Sequence, residues 1–291
     1  MRVLVFGSNG QVARELRRRG PEAGHDIIAL GRDDCDLMQA GAAKVAIDKT
    51  KPDAVINASA YTAVDKAESE RDTAMRLNGA APGEMAVACA ALGVPFIHFS
   101  TDYVFDGAGS RPYREDDPVA PLGAYGETKL EGERRVKEAG GVFAIVRLSW
   151  VFSAHGANFV KTMLRVGAER PSLRVVADQR GKPTPATSAA EAALVAAKAL
   201  RADAGKAGVY HFAGDEETSW AGFAEAIMGA ANLPTPVEHI ETKDYPTPAK
   251  RPAYSVLDTR KFEQAFGMKA PSWRSELKEV VRELPAPTGE N

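Results

Sequence analysis

The chain has 291 residues, of which 44% are hydrophobic and 26% charged, proportions that suit a large globular core and exclude a disordered chain. A formal net charge of −2 gives no broad positive field, so neither nucleic acid nor an anionic membrane surface is expected as a partner. The two cysteines, Cys35 and Cys89, lack a short metal-type spacing and are too few for a disulfide framework.

Residues 2–6 read as a strand that starts directly after Met1, leaving no room for a secretory leader. Residues 10–19 read as a helix ending in Arg17, Arg18 and Arg19, cations that suit the carbonyl end of a helix dipole. Residues 26–30 are predicted extended, 42–50 helical and 54–57 extended, with Pro52 marking the last connection. A long helical pattern covers 72–92 and stops at Gly93. Residues 96–99 read as a strand, 125–138 as a helix and 143–148 as a strand. This alternation predicts parallel βαβ units. Beyond about residue 150 prolines accumulate: 175–176 and 209–212 read as strands, 186–200 and 219–230 as helices, and 245–252 as a loop. Glu191 and Lys198 interrupt the alanine-rich stretch, so no membrane span is expected and a cytoplasmic location is. The tail 285–291 is expected to fray.

The first strand runs into Gly7-Ser8-Asn9-Gly10-Gln11-Val12-Ala13 and then a helix. Glycine at 7 permits a tight turn, glycine at 10 lets backbone approach a pyrophosphate, and the helix start offers free amides. Position, strand and helix together make this a dinucleotide-binding turn, with Gly7, Asn9, Gly10, Gln11 and Val12 as its contacts. Ala13 replaces the third glycine of the usual pattern, at a packing position that tolerates it. The expected fold is therefore α/β, a Rossmann-type doubly wound parallel sheet with a smaller C-terminal substrate-binding lobe. Residues 1–150 would form the dinucleotide-binding domain, joined by parts of 172–212, with 151–291 as the interleaved lobe. At the end of the second strand, Gly31 and Arg32 leave space and a cation for a 2′-phosphate, favouring NADPH, with NADH as the alternative.

Tyr125 and Lys129 are four residues apart on a predicted helix and share a face. A free phenol titrates near ~10, and a nearby ammonium and the positively charged oxidised nicotinamide are expected to lower it, so that Tyr125 can protonate a carbonyl oxygen as the carbon is reduced. Lys129 would also hold the nicotinamide ribose. Ser100 and Thr101 end a parallel strand, where ligands bind in such sheets. Thr101 is the favoured partner of the substrate carbonyl, with Ser100 expected on the other face.

These residues fall in segments that resemble those of the dTDP-4-dehydrorhamnose reductases, within the extended short-chain dehydrogenase/reductases. The match runs from Gly7–Val12 through Asn57–Glu68, Ser100–Gly107, Tyr125–Glu133 and Arg147–Phe152 to Asp178–Thr184 and Lys250–Pro252, nearly the whole chain in order. The resemblance implies NADPH-dependent reduction of the 4-keto group of dTDP-4-dehydro-L-rhamnose, a dTDP-sugar substrate. By that likeness Asp36, Leu37, Ala60, Tyr61, Thr62 and Phe99 line the cofactor channel, while Thr101, Asp102 and Trp150 meet the substrate. Trp150 makes independent sense as an indole packed against a sugar face or base. Arg251 is the expected partner of the diphosphate, because guanidinium binds phosphate oxygens bidentately; Lys182 and Arg180 are weaker candidates. Tyr254 stands where relatives often carry asparagine, which opens the identity of the sugar. Some relatives form a dimer bridged by magnesium. Glu15 matches one ligand position, but no carboxylate lies near Thr187, so no metal is expected to be required. Reductases of this size often pair, and a homodimer is one expected assembly. Two other readings stay open: a reductase of another NDP-4-keto-6-deoxyhexose, and a non-catalytic NADP-binding regulatory subunit. His25, His98, His155, His211 and His239 are scattered without ligand spacing, and His98 reads as a packed core residue.

Overall fold

The computed structural model describes residues 1–285, so residues 286–291 of the tail expected to fray lie outside the described residues. Strand β1 (Arg2–Phe6) leads into helix α1 (Gln11–Glu22), then β2 (Asp26–Leu30), α2 (Ala42–Thr50) and β3 (Ala54–Asn57). Two short helices follow, α3 (Val64–Ala67) and α4 (Arg71–Ala74), then a π-helical segment at Met75–Ala80 that continues into α5 (Ala81–Leu92). Next come β4 (Phe96–Thr101), α6 (Ala124–Ala139), β5 (Phe143–Leu148), β6 (Val151–Phe152), α7 (Phe159–Glu169), β7 (Leu173–Val176), β8 (Arg180–Gly181) and β9 (Thr184–Pro185). The chain closes with α8 (Ala186–Ala202), β10 (Gly208–His211), β11 (Thr218–Ser219), α9 (Trp220–Ala230), β12 (Val237–Ile240), α10 (Arg260–Phe266) and α11 (Trp273–Glu283).

The central sheet has six strands in the order β10-β5-β4-β3-β1-β2, every pair parallel. Strands β1, β3, β4 and β5 are buried on both faces, as a doubly covered parallel sheet requires, while β2 and β10 at the borders are only partly covered. Alternation sends Val3, Val5, Ile56, Ile97 and Val146 toward α1 and the alanines of α8. Leu4, Phe6, Val55, Phe96 and Ile145 point the other way, against α2, α5 and α6. A second core, built from Phe152, Leu164, Leu173, Phe223, Ile227, Trp273 and Leu277, holds the C-terminal segment together.

Two elements differ from the periodicity reading. Strand β4 runs on to Thr101, because Ser100 and Thr101 pair in register with Arg147 and Leu148. The single helix expected over 72–92 is interrupted by the π turn, which brings Asn78 inward: it is fully buried and bonded to its neighbours on both sides. Gly93 ends α5 at φ 67°, as its residue type predicts.

Candidate active site

The site is built at the C-terminal edge of the sheet, where β1, β4 and β5 end. Helix α6 starts from Gly123 in extended backbone and carries Tyr125 and Lys129 one turn apart. Lys129 is buried, and its Nζ donates to the Phe99 carbonyl at 2.6 Å, which fixes the ammonium to β4 two residues before Thr101. The Thr101 hydroxyl accepts from the Tyr103 backbone N–H at 3.2 Å and donates to Asp102 Oδ1 at 3.0 Å. Ser100 turns away from this point and donates to Glu133 Oε1 at 2.6 Å.

Burial pushes the Tyr125 phenol up to about 12; the Thr101 hydroxyl opposes the shift and the Asp102 charge adds to it. Burial also brings Lys129 down to about 8, against the pull of Glu133. The ammonium is thus lost before the phenol titrates. Asp102 is 2% exposed, its Oδ2 has no hydrogen-bond partner among the described residues, and burial lifts its carboxyl to about 6. A buried, unpaired carboxylate oxygen beside a hydroxyl and a phenol is a costly arrangement with unused bonding capacity.

The glycine turn has the shape a pyrophosphate needs. Gly7 sits at φ 110°, and a Cβ there would meet the Ala58 and Ser59 backbone at 3.1–3.2 Å. Gly10 begins α1 with no side-chain cap, so the first-turn amides point outward unclaimed by any capping group. Gly31 lies against the same turn, since its Cβ would reach Ser8 Oγ at 2.5 Å. Arg32 is exposed, 3.7 Å from Asp36, and can swing toward a phosphate. These residues fit a dinucleotide. Asn9 and Ala60 are exposed, as is Thr62, while Leu37 and Phe99 are buried and Val12 half-buried. Gln11 is different: its side chain donates to the Val151 carbonyl at 3.2 Å and accepts from Ser153 and Asn158, so only its backbone is free for phosphate.

The other expected substrate residues are placed as follows. Trp150 lies two residues past Leu148, the register partner of Thr101, but its ring stacks on Trp220 with centroids 3.7 Å apart. Arg251 is held by Asp65, NH2 to Oδ2 at 2.8 Å. Arg180 pairs with Glu217, and burial lowers the half-buried Lys182. Tyr254 reaches Glu217 at 3.3 Å. His98 is fully buried, with Nδ1 3.1 Å from Asn57 Nδ2.

Three features were not singled out from the sequence. Asn78 accepts from the Tyr61 N–H at 2.8 Å and donates to the Tyr61 carbonyl at 3.0 Å and to Thr128 Oγ1 at 3.2 Å, clamping the strand-end segment that carries Ala60, Tyr61 and Thr62. Its only sequence signal is an amide side chain inside an apolar helical pattern. Glu133 and Arg147 form a bidentate, fully buried ion pair beneath the site, at 2.8–2.9 Å. The four-residue step from Lys129 to Glu133 was the available clue. The Asp65–Arg251 pair joins residues too distant in sequence to be linked by pattern.

Glu15 is engaged within its own chain. One carboxylate oxygen accepts from Arg18 at 2.8 Å and the other lies 3.1 Å from His155 Nε2. Among the described residues no group of three or more His, Cys, Asp or Glu side chains could hold a metal ion. Nor is any described helix long and apolar enough to cross a membrane.

A family model described as the RmlD substrate binding domain matches residues 1–285. The chain belongs to the RmlD substrate binding domain family. Among its relatives is a dTDP-4-dehydrorhamnose reductase of Burkholderia thailandensis, 45% identical over 98% of this chain and 99% of the relative. A crystal structure of a dTDP-4-dehydrorhamnose reductase from Clostridium acetobutylicum superposes with a TM-score of 0.91 at 36% identity, covering 97% of this chain and 99% of that one. The Bacillus anthracis dTDP-4-dehydrorhamnose reductase, solved in complex with NADP, gives 0.90 at 34% identity over 97% and 99% of the two chains. RmlD family membership thus accounts for the order of motifs along the whole described chain.

Proposed function

We propose that this RmlD family member is a dTDP-4-dehydrorhamnose reductase, which reduces the 4-keto group of dTDP-4-dehydro-L-rhamnose with NADPH. The supporting observation is convergence: Thr101, Asp102, Tyr125 and Lys129 meet where β4 ends, on the edge of the sheet that also carries the glycine turn. The relatives' names and the NADP of the Bacillus anthracis structure support the same reading.

Gly7, Gly10 and the amides at the start of α1 hold the pyrophosphate, Arg32 meets the 2′-phosphate, and Lys129 holds the nicotinamide ribose. When bound, the reduced dinucleotide supplies the two electrons and one hydrogen that the ketone carbon accepts. Tyr125 gives its Oη proton to the ketone oxygen; held at about 12 by burial, the phenol is fully protonated at neutral pH and ready to donate. At that pH Lys129 is charged, and its field lowers the cost of the phenolate left behind. Thr101 turns its one hydroxyl proton from Asp102 Oδ1 to the same oxygen as charge develops on it. Asp102 Oδ2, which makes no close hydrogen bond among the described residues, accepts from a sugar hydroxyl. Trp150 and Arg251 contact the sugar nucleotide. Residues 151–291 supply the substrate lobe, with α8 and β10 returning to the dinucleotide-binding sheet. A cytoplasmic site of action follows from this reading.

The test is NADPH oxidation with enzymatically prepared dTDP-4-dehydro-L-rhamnose, beside NADH and a Tyr125→Phe variant. Turnover lost in the variant supports both the reaction and the tyrosine's part. NADPH binding without turnover would move the assignment to another keto sugar or to a regulatory subunit.

A further inference from the structure

Trp150 adopts φ 48°, in the left-handed region that bulky side chains rarely enter. Its backbone is pinned on both sides: its carbonyl accepts from the Thr184 N–H at 3.2 Å, and the Ser149 hydroxyl donates to the Lys182 carbonyl at 2.6 Å. The indole is equally constrained. Trp220 lies against it with ring centroids 3.7 Å apart and planes within 11°, an almost face-to-face stack. A Cβ at Gly181 would fall 2.5 Å from Trp150 Cε2 and 2.7 Å from both Cζ2 and Nε1. All three nearest atoms belong to Trp150, so Gly181 lies against the Nε1 side of the indole, and only a bare backbone fits there.

The local fold explains the sandwich. Strands β8 and β11 pair antiparallel, Gly181 opposite Thr218 and Arg180 opposite Ser219, which sets Gly181 beside the start of α9. Ser219 caps that helix by accepting from the Gly222 N–H at 3.0 Å, and Trp220 is its first residue. Phe159 leans on Trp220 from behind, centroids 4.6 Å apart. Two-residue strands of this kind bury little by themselves, and here they bring one glycine and one tryptophan against a third residue.

We infer that Trp220 is a positioning residue which, together with Gly181, clamps Trp150 so that the indole meets the sugar nucleotide with its Nε1 edge instead of a ring face. Trp220 takes one ring face and Gly181 crowds the ring beside Nε1, which leaves little room for a sugar or base to stack. Among the described residues Nε1 has no acceptor, and it is not one of the atoms sealed from solvent. An indole N–H held in fixed orientation donates one directed hydrogen bond, which selects a sugar oxygen at one position. The inference rests on Trp150 touching the substrate, as proposed above.

The chain has three tryptophans, and the third, Trp273, packs on Phe223 and Arg274 and not on another indole. Stacked indoles couple their transitions, so the wild type should show an exciton couplet in circular dichroism that vanishes in both Trp220→Phe and Trp150→Phe. In the reductase assay Trp220→Leu should raise KM for the sugar nucleotide roughly three- to tenfold with kcat within about twofold, the share an aromatic pair carries. Trp220→Phe, which keeps an aromatic face, should recover most of that loss. Gly181→Ala leaves Trp220 in place but displaces the indole, and should raise KM in the same way. Absence of the couplet in the wild type would overturn the clamp, and so would unchanged KM in both Trp220→Leu and Gly181→Ala. An inactive wild type with an intact couplet would overturn the proposed reaction, and with it the clamp's role in binding, while the stack itself stood.

Discussion

Asp65 and Arg251, 186 residues apart in the chain, meet at 2.8 Å, and the Ala249 N–H donates to the second Asp65 oxygen at 3.2 Å. The pair fastens the proline-rich loop of the C-terminal segment to α3, beside the mouth of the site where Tyr103, Tyr125, Lys250 and Pro252 come together. Arg251 therefore waits on a carboxylate, and a diphosphate must share or displace that partner. Arg251→Ala should raise KM for the sugar nucleotide on the order of tenfold, with Arg251→Lys recovering only part, because a point charge replaces a planar fork. Asp65→Asn should lower KM and cost no more than about 1 kcal/mol of stability, since the pair is partly exposed. Arg251 holds the Asp65 carboxyl below its ordinary range, so the stabilisation is present above the unfolded pKa and is lost as pH falls through the folded one. Steady-state kinetics and urea unfolding at two pH values measure both effects.

Asp102 should trade stability for function. Its carboxyl is lifted by burial to about 6, so its stabilising contribution is full below the unfolded pKa and is lost as pH rises through about 6. At pH 7 the ionised group is a net cost, on the order of 2–3 kcal/mol for a shift of this size. Asp102→Asn is expected to raise the melting temperature at pH 7, to lose that gain by pH 4, and to lower kcat/KM at least tenfold. An asparagine variant no more stable than the wild type at pH 7 would show that the carboxylate is not strained.

Lys129 predicts opposite pH trends for activity and stability. Reduction should fall as pH rises through about 8, where the ammonium is lost, while Tyr125 keeps its proton to about 12. Because the folded pKa of Lys129 lies below its ordinary 10.5, its contribution to stability is lost as pH falls through about 8 and restored above 10.5. The stability difference between wild type and Lys129→Met should therefore grow more favourable to wild type from pH 8 to 10.5 while kcat/KM declines. Parallel pH profiles of turnover and chemical denaturation check this.

Gly7→Ala tests the phosphate turn. The substitution forces a side chain into φ 110° and against the Ala58 backbone at 3.1 Å. A loss of about 1–3 kcal/mol of stability is expected, together with at least tenfold weaker NADPH binding in a fluorescence titration. Binding that survived unchanged would place the pyrophosphate elsewhere.

Local pattern made the strands of the central sheet and the helices beside them legible, with α2, β2, β3 and β5 on the segments their periodicity marks, whereas the two-residue strands, β12, α7, α10 and α11 carried no pattern that was read. The glycine turn and the Tyr125–Lys129 face were readable for the same reason, since both depend on neighbours within one turn. What pattern could not supply was long-range pairing. Nothing near Trp150 in sequence announces Trp220 or Gly181, and nothing near Gln11 announces Ser153 and Asn158, which lie more than a hundred residues away and engage its side chain. Burial, a property of the whole fold, raises the Tyr125 phenol, and no local pattern announces it. The π turn was hidden as well: it keeps the helical hydrophobic pattern while shifting Asn78 inward.

The place of β10 in the sheet has a consequence for how this protein emerges from the ribosome. Helix α8 covers one whole face of β3, β4 and β5, and β10 closes the β5 edge, yet neither is synthesised before residue 186. A nascent chain that has just completed β5 therefore carries a parallel sheet with an unpaired border and an uncovered apolar face, the two features that most invite contact with other chains. Its protection through that interval must come from chaperones or from speed of translation, and a single slow codon cluster between residues 148 and 186 would lengthen the exposure without altering one residue of the finished enzyme.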